Sequence, residues 1–296
     1  MNLLITGALK YDKEFFKSIE HLENNILFQQ NESDELVCDY SWVEGVICNG
    51  LFLYHDIANF INLKYIQLTS AGYDRVPIDY IKEHHITIYN AKGVYSIPMA
   101  EFALCGVLQL YKQSSFFYEN QKKHIWKKDR ELLELAGKTV CILGCGSVGT
   151  ECAKRFKAFG CKIIGVDVYT YYDINYDAII DINSLDSVLP ESDIVILTLP
   201  LTEQTHHLIN AQKLKLLKKN AVLVNIARGA VLDTEALIET IPNLKGAVLD
   251  VFEEEPLFSD SKLWDMDNII ITPHNCFVGN NNKERLHILI LLNLKK

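Results

Sequence analysis

The 296-residue sequence lacks any apolar run long enough to cross a membrane as a helix. Its longest apolar segments, residues 102–111 and 286–294, are well short of the roughly 18 residues that such a helix needs, and both are predicted to be buried helices. The first residues carry no basic cluster and no cleavage site, so we expect no signal peptide. The eight cysteines include no Cys-x-x-Cys pair, and we expect them to be reduced thiols of a cytoplasmic protein.

Positive charge is also scarce, since 29 Lys and Arg face 38 Asp and Glu, for a net charge of −9. This excess of negative charge repels phosphate groups, so we expect neither nucleic acid nor an anionic membrane as a partner. The hydrophobic fraction of 49% and the charged fraction of 23% exclude a disordered or collagen-like chain. At about 150 residues per domain, the length favours two domains.

Short apolar segments alternate with helical patterns along most of the chain. Most of these segments lack strict polar–apolar alternation, which is typical of strands buried on both faces of a parallel sheet. The sequence therefore predicts an α/β fold with doubly wound parallel sheets. The predicted strands are residues 2–6, 43–48, 65–68, 86–89, 139–144, 162–167, 193–199, 221–226, 246–250 and 269–272.

Two breaks in this pattern predict the domain boundaries. Pro98 opens a long apolar helical pattern, and proline is well tolerated in the first turn of a helix. Three asparagines at 280–282 precede a last apolar helix at 284–294. We therefore expect one domain from 97–276, and a second from 1–96 together with 277–296. The helix after Pro98 is a candidate interface for a homodimer.

A glycine-rich turn directly follows the predicted strand at 139–144. It reads Gly144, Cys145, Gly146, Ser147, Val148, Gly149 and leads into a helical pattern at 150–159. Glycines at these spacings permit a tight turn, close approach of a pyrophosphate and close packing of helix against strand. The pyrophosphate would lie at the helix N-terminus, where N–H groups and the helix dipole favour negative charge.

The next predicted strand ends in Asp167, 18 residues after Gly149. An acidic residue at about this distance binds the ribose hydroxyls of a dinucleotide. The following residues, Val168, Tyr169 and Thr170, include no Arg or Lys to hold a 2′-phosphate. The pattern therefore favours NAD over NADP.

Three polar clusters follow later predicted strands at the edge where open α/β sheets bind ligands. Arg228 follows one strand, an acidic segment follows Asp250 on the next, and His274 follows the third. An arginine in such a place can hold a carboxylate through two hydrogen bonds. A histidine there can exchange a proton with a reacting group.

Taken together, these segments resemble the NAD-dependent D-2-hydroxyacid dehydrogenase family over roughly residues 64–276. The resemblance implies a Rossmann NAD-binding domain and a flavodoxin-like substrate domain with a cleft between them, and no metal. The matching residues are Gly144, Gly146 and Gly149, Asp167, Leu199 to Thr202 with Thr205, Asn225 to Gly229, Asp250 to Phe252, Glu255 with Pro256, Thr272 to His274, Ser70 to Asp74, and Gly93 to Ser96 with Met99 to Glu101.

The resemblance also implies a catalytic role for three residues. Arg228 would bind the carboxylate and keto oxygen of the substrate. His274 would donate the proton in reduction and accept it in oxidation, and Glu255 would hydrogen-bond His274.

Further residues are implied to bind the two ligands. Asp250 would contact the nicotinamide carboxamide, and Arg228 and His274 would also lie at the cofactor. Backbone N–H groups of the loop at Ser70 would bind the substrate carboxylate. The remaining cofactor residues implied are Gly144, Gly146, Ser147, Val148, Gly149, Asp167, Leu199, Pro200, Thr205, Ile226 and Ala227, and the substrate-binding set is Ser70, Ala71, Gly72, Val94 and Tyr95 with Arg228 and His274.

The sequence leaves several alternatives open. The residues after His274, among them Cys276 and Phe277, replace the small residues usual in the family, and Cys276 is either an inert neighbour of the site or sensitive to oxidation. A formate dehydrogenase resembles this pattern but has a glutamine where Glu255 stands. A corepressor of the C-terminal-binding-protein kind keeps all three catalytic residues and senses NAD(H), and a scaffold that binds NAD without activity is a third reading. Glyoxylate, hydroxypyruvate, pyruvate, branched 2-keto acids and phosphohydroxypyruvate all remain candidate substrates, with Arg75 and Lys92 as cationic candidates for the last.

Overall fold

The computed structural model describes residues 1–9 and 12–296 and divides into two compact units. The terminal unit comprises Met1–Tyr95 and Gly279–Lys296, and the central unit comprises Ser96–Val278. Each unit contains its own parallel sheet. The assignment of substrate binding to one unit and cofactor binding to the other stays a prediction.

Strands and helices alternate along both units, joined by short 3-10 turns. The strands are β1 (Asn2–Thr6), β2 (Asn25–Gln29), β3 (Gly45–Cys48), β4 (Tyr65–Leu68), β5 (Thr87–Tyr89), β6 (Thr139–Leu143), β7 (Lys162–Asp167), β8 (Ala178–Asp181), β9 (Ile194–Leu197), β10 (Val222–Asn225), β11 (Gly246–Leu249) and β12 (Ile269–Ile271). The helices are α1 (Lys13–Glu20), α2 (Ile78–Glu83), α3 (Ser96–Tyr111), α4 (Ser114–Lys122), α5 (Ser147–Ala158), α6 (Leu185–Val188), α7 (Ala211–Leu216), α8 (Thr234–Thr240) and α9 (Asn282–Asn293).

The sheet of the terminal unit has the strand order β2-β1-β3-β4-β5, with every pair parallel. This is the order of flavodoxin-like folds. The last helix, α9, completes the unit, because Leu286 and Ile290 join the core formed by Leu3 and Ile5. Two further contacts fix α9 in place: Lys283 Nζ lies 2.6 Å from Asp12 Oδ2, and Asn293 Nδ2 donates to Gln67 Oε1 at 2.9 Å.

The sheet of the central unit has the order β12-β11-β10-β9-β6-β7-β8, again all parallel. The order runs outward from β6 in both directions, as in the Rossmann fold, where ligands bind beyond the carboxyl ends of the strands at this reversal. Strands β6, β9 and β10 are almost entirely buried, as expected of strands covered on both faces.

The structure confirms the α/β fold and every predicted strand, and it adds two that the sequence analysis missed. Strands β2 and β8 lie at sheet edges and are mostly only half-buried, so neither shows a continuous apolar run. Helix α3 begins at Ser96, two residues before Pro98. All eight cysteines are free thiols, and six of them are buried.

Within residues 1–9 and 12–296, no helix combines the length and the apolar character that spanning a membrane requires.

Candidate active site

The glycine-rich turn joins β6 to the start of α5, as the sequence predicts. A side chain at Gly149 would place its Cβ 2.0 Å from Gly144 O, so only glycine allows the helix to pack this closely against the turn. A Cβ at Gly146 would instead meet open space, which leaves room beside the helix N-terminus. Gly146 has no side chain to cap α5, so the first N–H groups, of Ser147 and Val148 among others, suit an anionic ligand.

Asp167 ends β7 beside this turn. Its Oδ2 accepts a hydrogen bond from Cys145 N at 2.6 Å, and its Oδ1 accepts one from Val168 N at 2.7 Å. Tyr171 reaches the same turn, because its hydroxyl donates to Cys145 O at 2.5 Å. The carboxylate therefore lies next to the phosphate-binding turn, where the ribose of a dinucleotide is bound in this fold.

A second turn follows β9. Thr205 Oγ1 donates to Pro200 O at 2.7 Å and accepts from Thr202 N at 2.8 Å, so this side chain closes the turn that begins at Leu199. Leu199 and Thr205 are buried, whereas Pro200 is exposed. Thr198 links the turn to the glycine-rich loop, since its Oγ1 lies 2.7 Å from Gly144 O.

Arg228 stands at the end of a short loop after β10. The buried side chain of Asn225 holds this loop: its Oδ1 accepts from Ala227 N at 3.1 Å, and its Nδ2 donates to Arg228 O at 3.1 Å. Ile226 and Ala227 are buried, and Arg228 is half-buried. The guanidinium donates to Ala227 O at 2.7 Å, which directs it along its own loop.

His274 lies in a tight turn after β12 with φ of +50°, a left-handed conformation that is strained for a residue with a side chain. Asp250 holds this turn. Its backbone oxygen accepts from His274 N at 2.7 Å, and its carboxylate accepts from Thr272 Oγ1, Asn275 N and Cys276 N at 2.6, 2.8 and 3.0 Å. The strained histidine is therefore fixed by a network centred on one carboxylate.

Asp250 itself is fully buried. The predicted contact of its side chain with a nicotinamide carboxamide stays untested, and the geometry instead points to support of the His274 turn. Cys276 belongs to the same network. Burial raises the pKa of its thiol and the hydrogen bond to Asp250 raises it further, so the thiol stays protonated and unreactive. The structure thus favours the inert role among the two left open for Cys276.

Glu255 and His274 form the central pair of the site. Glu255 Oε2 lies 2.8 Å from His274 Nδ1, while Glu255 Oε1 accepts from Phe252 N at 3.1 Å. With Nδ1 directed at the carboxylate, Nε2 is the ring nitrogen left to exchange a proton with a substrate. The His274 side chain is 42% exposed, so a small molecule can reach it.

The predicted substrate loop lies in the terminal unit, after β4. Ser70 Oγ donates to Gly72 O at 3.2 Å, and Asn90 Nδ2 donates to Ala71 O at 2.6 Å. Tyr95 joins the loop, because its hydroxyl donates to Thr69 O. Val94 is buried, and its backbone oxygen accepts from Arg285 Nε of α9 at 2.7 Å. The structure therefore brings these five predicted residues together within one unit.

Several residues that shape the site were not predicted to do so. Thr198, Tyr171 and Asn225 act through hydrogen bonds to backbone atoms of the predicted loops. Asn225 carried a usable signal, because an asparagine that ends a buried apolar strand must find partners for its amide. Tyr171 carried none, since a tyrosine in a polar loop has no pattern that indicates where its hydroxyl points.

Comparison with known proteins identifies similar chains. Residues 104–276 match the family model described as D-isomer specific 2-hydroxyacid dehydrogenase, NAD binding domain. A glyoxylate reductase of Thermofilum pendens is 34% identical over 243 residues, which cover 79% of this chain and 71% of that protein. A D-3-phosphoglycerate dehydrogenase of Methanocaldococcus jannaschii is 35% identical over 216 residues, which cover 72% of this chain and 41% of that protein.

Among solved structures, the fold is similar to that of D-lactate dehydrogenase from Aquifex aeolicus, which was determined in complex with NAD and lactic acid. The TM-score is 0.82 and the sequences are 28% identical, with 99% of this chain and 94% of the other covered.

Proposed function

Because the chain belongs to the D-isomer specific 2-hydroxyacid dehydrogenase family, we propose that it reduces a small 2-keto acid to the D-2-hydroxy acid, with His274 as the proton donor. The observation that carries this proposal is the 2.8 Å contact between Glu255 Oε2 and His274 Nδ1. A carboxylate at this distance favours the protonated imidazole and fixes the direction in which Nε2 points.

The proposed reaction balances as one hydride and one proton. The bound NADH supplies the hydride to the keto carbon. His274 gives its proton to the keto oxygen, and in the oxidation of a hydroxy acid it takes that proton back. Glu255 stabilises the imidazolium, and Arg228 adds a fixed positive charge where negative charge develops on the substrate.

We assign the substrate carboxylate to Arg228 and to the backbone N–H groups of the loop at Ser70, Ala71 and Gly72, with Val94 and Tyr95 beside them. The hydrogen bonds of Tyr95 and Asn90 to this loop support the assignment, because they hold its backbone in one conformation. A rigid loop orients a substrate without a further loss of conformational entropy on binding.

We propose glyoxylate, hydroxypyruvate or pyruvate as the substrate. The support comes from relatives, since the similar chains include glyoxylate reductases and a D-lactate dehydrogenase. A hydrophobic pocket discriminates by only about 1–3 kcal/mol per methylene, so a measured panel has to rank these acids against branched 2-keto acids and phosphohydroxypyruvate.

We further propose a preference for NAD over NADP. The carboxylate of Asp167 lies beside Cys145 N in the phosphate-binding turn, so a 2′-phosphate on the adjacent ribose would face a negative charge. No Lys or Arg stands among the three residues that follow Asp167. NADH is therefore expected to support faster reduction than NADPH at equal concentration.

A homodimer through α3 is also proposed. The side of α3 that does not face the core carries Leu104, Cys105 and Leu108, which line a shallow groove together with Arg155. A second copy of the chain is the proposed occupant, because apolar side chains outside a core are commonly covered at subunit interfaces. Light scattering should give about twice the chain mass, and Leu108→Glu should reduce it to one chain, whereas Ile288→Glu on α9 should not.

We also propose a cytoplasmic location. Eight unpaired thiols, six of them buried, suit a reducing compartment. Recovery of the protein with disulfides from its native cell would contradict this.

The function is tested by following NADH absorbance against the panel of 2-keto acids. The expected result is oxidation of NADH by at least one acid, and a rate about 10²–10⁴-fold lower in His274→Ala with NADH binding retained. Equal rates in the wild type and the variant would refute the role of His274. Binding of NADH without turnover of any acid would favour an NAD(H)-sensing protein on the same fold.

A further inference from the structure

His207 lies where three loops of the central unit meet. It belongs to the turn after β9, with φ of +48°, a strained conformation for a histidine. Its N–H donates to Ala230 O at 2.7 Å, in the loop that carries Arg228. Its ring Nε2 lies 2.7 Å from Glu253 Oε2, in the loop that carries Glu255. One residue thus links both loops of the proposed catalytic set.

Glu253 is fixed on its other side as well. Its Oε1 accepts a hydrogen bond from Thr234 N, in the first turn of α8, at 2.9 Å. Burial works to raise the pKa of Glu253, but the hydrogen bonds from Thr234 and His207 outweigh it, and the pKa is lowered. The carboxylate is therefore charged near neutral pH and held from two directions, two residues before Glu255.

The two catalytic loops touch each other directly at Gly229. A Cβ at this position would lie 1.8 Å from the carbonyl carbon of Phe252 and 2.3 Å from Glu253 N. The backbone after Arg228 therefore packs against the backbone before Glu255, and no other residue fits there. Such a contact fixes separation but not sliding, which a hydrogen-bonded pair beside it resists.

We propose that His207 and Glu253 are positioning residues that hold the Arg228 loop and the Glu255 loop in register for catalysis. The proposal rests on the dehydrogenase function above and adds a pair that touches neither substrate nor cofactor. Loss of the pair lets the loop with Glu255 shift, so Glu255 would no longer meet His274 at its present distance. Misplacement by about 1 Å can lower a catalytic rate about 100-fold.

The chain offers a matched control in the neighbouring His206. Its ring stacks on His207, with centroids 4.2 Å apart and planes at 29°, and it is the more exposed of the two. It makes no hydrogen bond to Glu253 in the described part of the chain. His206→Ala therefore removes an adjacent imidazole while the linked pair stays.

The test compares His207→Ala, His207→Gln, Glu253→Ala, the double variant His207→Ala with Glu253→Ala, and His206→Ala. We expect kcat to fall about 10- to 100-fold in His207→Ala with the KM for NADH within about twofold. Glutamine can still donate to Glu253, so His207→Gln should recover most of the loss. The double variant should be no worse than the poorer single variant, because the two residues act through one contact.

A second readout does not depend on turnover. In the protein without substrate, the ring proton resonances of His274 should titrate at a lower pH in His207→Ala than in the wild type, and unchanged in His206→Ala. If His274 titrates identically in both, or if the double variant loses the product of the two single losses, the positioning role is refuted. If no 2-keto acid is reduced even by the wild type, the dehydrogenase function fails, and the resonances still decide whether the pair positions His274.

Discussion

The loops at the carboxyl ends of the two sheets are each held by one carboxylate. In the terminal unit, Glu32 accepts hydrogen bonds from Thr6 Oγ1 at 2.6 Å and from Asn49 N and Gly50 N at 2.7 Å each. In the central unit, Asp250 accepts from Thr272 Oγ1 and from the N–H groups of Asn275 and Cys276. Both carboxylates thus satisfy loop N–H groups at the end of a parallel strand.

The difference lies in what each loop carries. The loop on Glu32 continues into Asn49 and Gly50, neither of which titrates. The loop on Asp250 contains His274, strained at φ of +50° and aimed at Glu255. The same hydrogen-bonding arrangement therefore serves stability alone in one unit, and in the other also keeps a strained residue in place for proton transfer.

The largest effect is expected from Asp250→Asn. The amide nitrogen would face an N–H group or a hydroxyl that now donates to a carboxylate oxygen, which leaves buried donors without an acceptor. We expect the free energy of unfolding to fall by about 2–3 kcal/mol and kcat to fall about 100-fold. Urea unfolding and NADH oxidation measure the two losses.

A milder variant serves as its control. Thr272→Val removes one of the donors to Asp250 and leaves the N–H groups of Asn275 and Cys276 paired. Its losses should be clearly smaller than those of Asp250→Asn. An Asp250→Asn protein with unchanged kcat would show that the His274 turn does not depend on this carboxylate.

A smaller and purely structural effect is expected from Glu32→Gln. The amide oxygen can still accept from part of the group that Glu32 now binds, so we expect a loss of about 1–2 kcal/mol in unfolding free energy. kcat should stay within about twofold, because this loop carries no proposed catalytic residue. A fall in kcat as large as that of Asp250→Asn would break the comparison between the two units.

The smallest effect is expected at the contact that joins α9 to the start of α1. The hydrogen bond from Lys283 and that from Phe15 N lower the pKa of Asp12 from 3.8 to about 2. A carboxyl group with a lowered pKa in the folded state stabilises the fold above its usual pKa, and this contribution is lost as the pH falls toward 2.

Melting temperatures of the wild type and Asp12→Asn measured across pH check this. The wild type should melt slightly higher at pH 5–7, and the difference should shrink as the pH falls below about 4. A difference that is independent of pH would mean that the Asp12 charge contributes nothing and that only its capping of α1 matters.

Much of the fold and of the site could be predicted because the relevant residues are neighbours in sequence. The buried strands announced themselves as apolar runs, and the residues that follow them, such as Asp167, Arg228 and His274, stand where parallel strands place ligands. Strands β2 and β8 were missed because an edge strand is half-exposed and lacks that run.

The supporting contacts could not be predicted for a different reason. His207 and Glu253 are 46 residues apart, and their contact depends on how two loops end after different strands. The acidic segment at 253–255 gave no indication of which carboxylate binds α8, which binds His274 and which stays in solvent. Sequence patterns locate the strand ends, whereas the partner of each side chain is decided by packing between loops.

The pH profile of 2-keto acid reduction in Glu255→Gln tests the central claim most directly. Glu254→Gln is the matched control, because Glu254 is exposed and adjacent. Reduction requires a protonated His274, and a neighbouring carboxylate stabilises that form, so the decline of the rate at alkaline pH should begin about one pH unit lower in Glu255→Gln. Glu254→Gln should follow the wild type. A profile of Glu255→Gln that superimposes on the wild type would contradict the assignment of His274 as a proton donor held by Glu255.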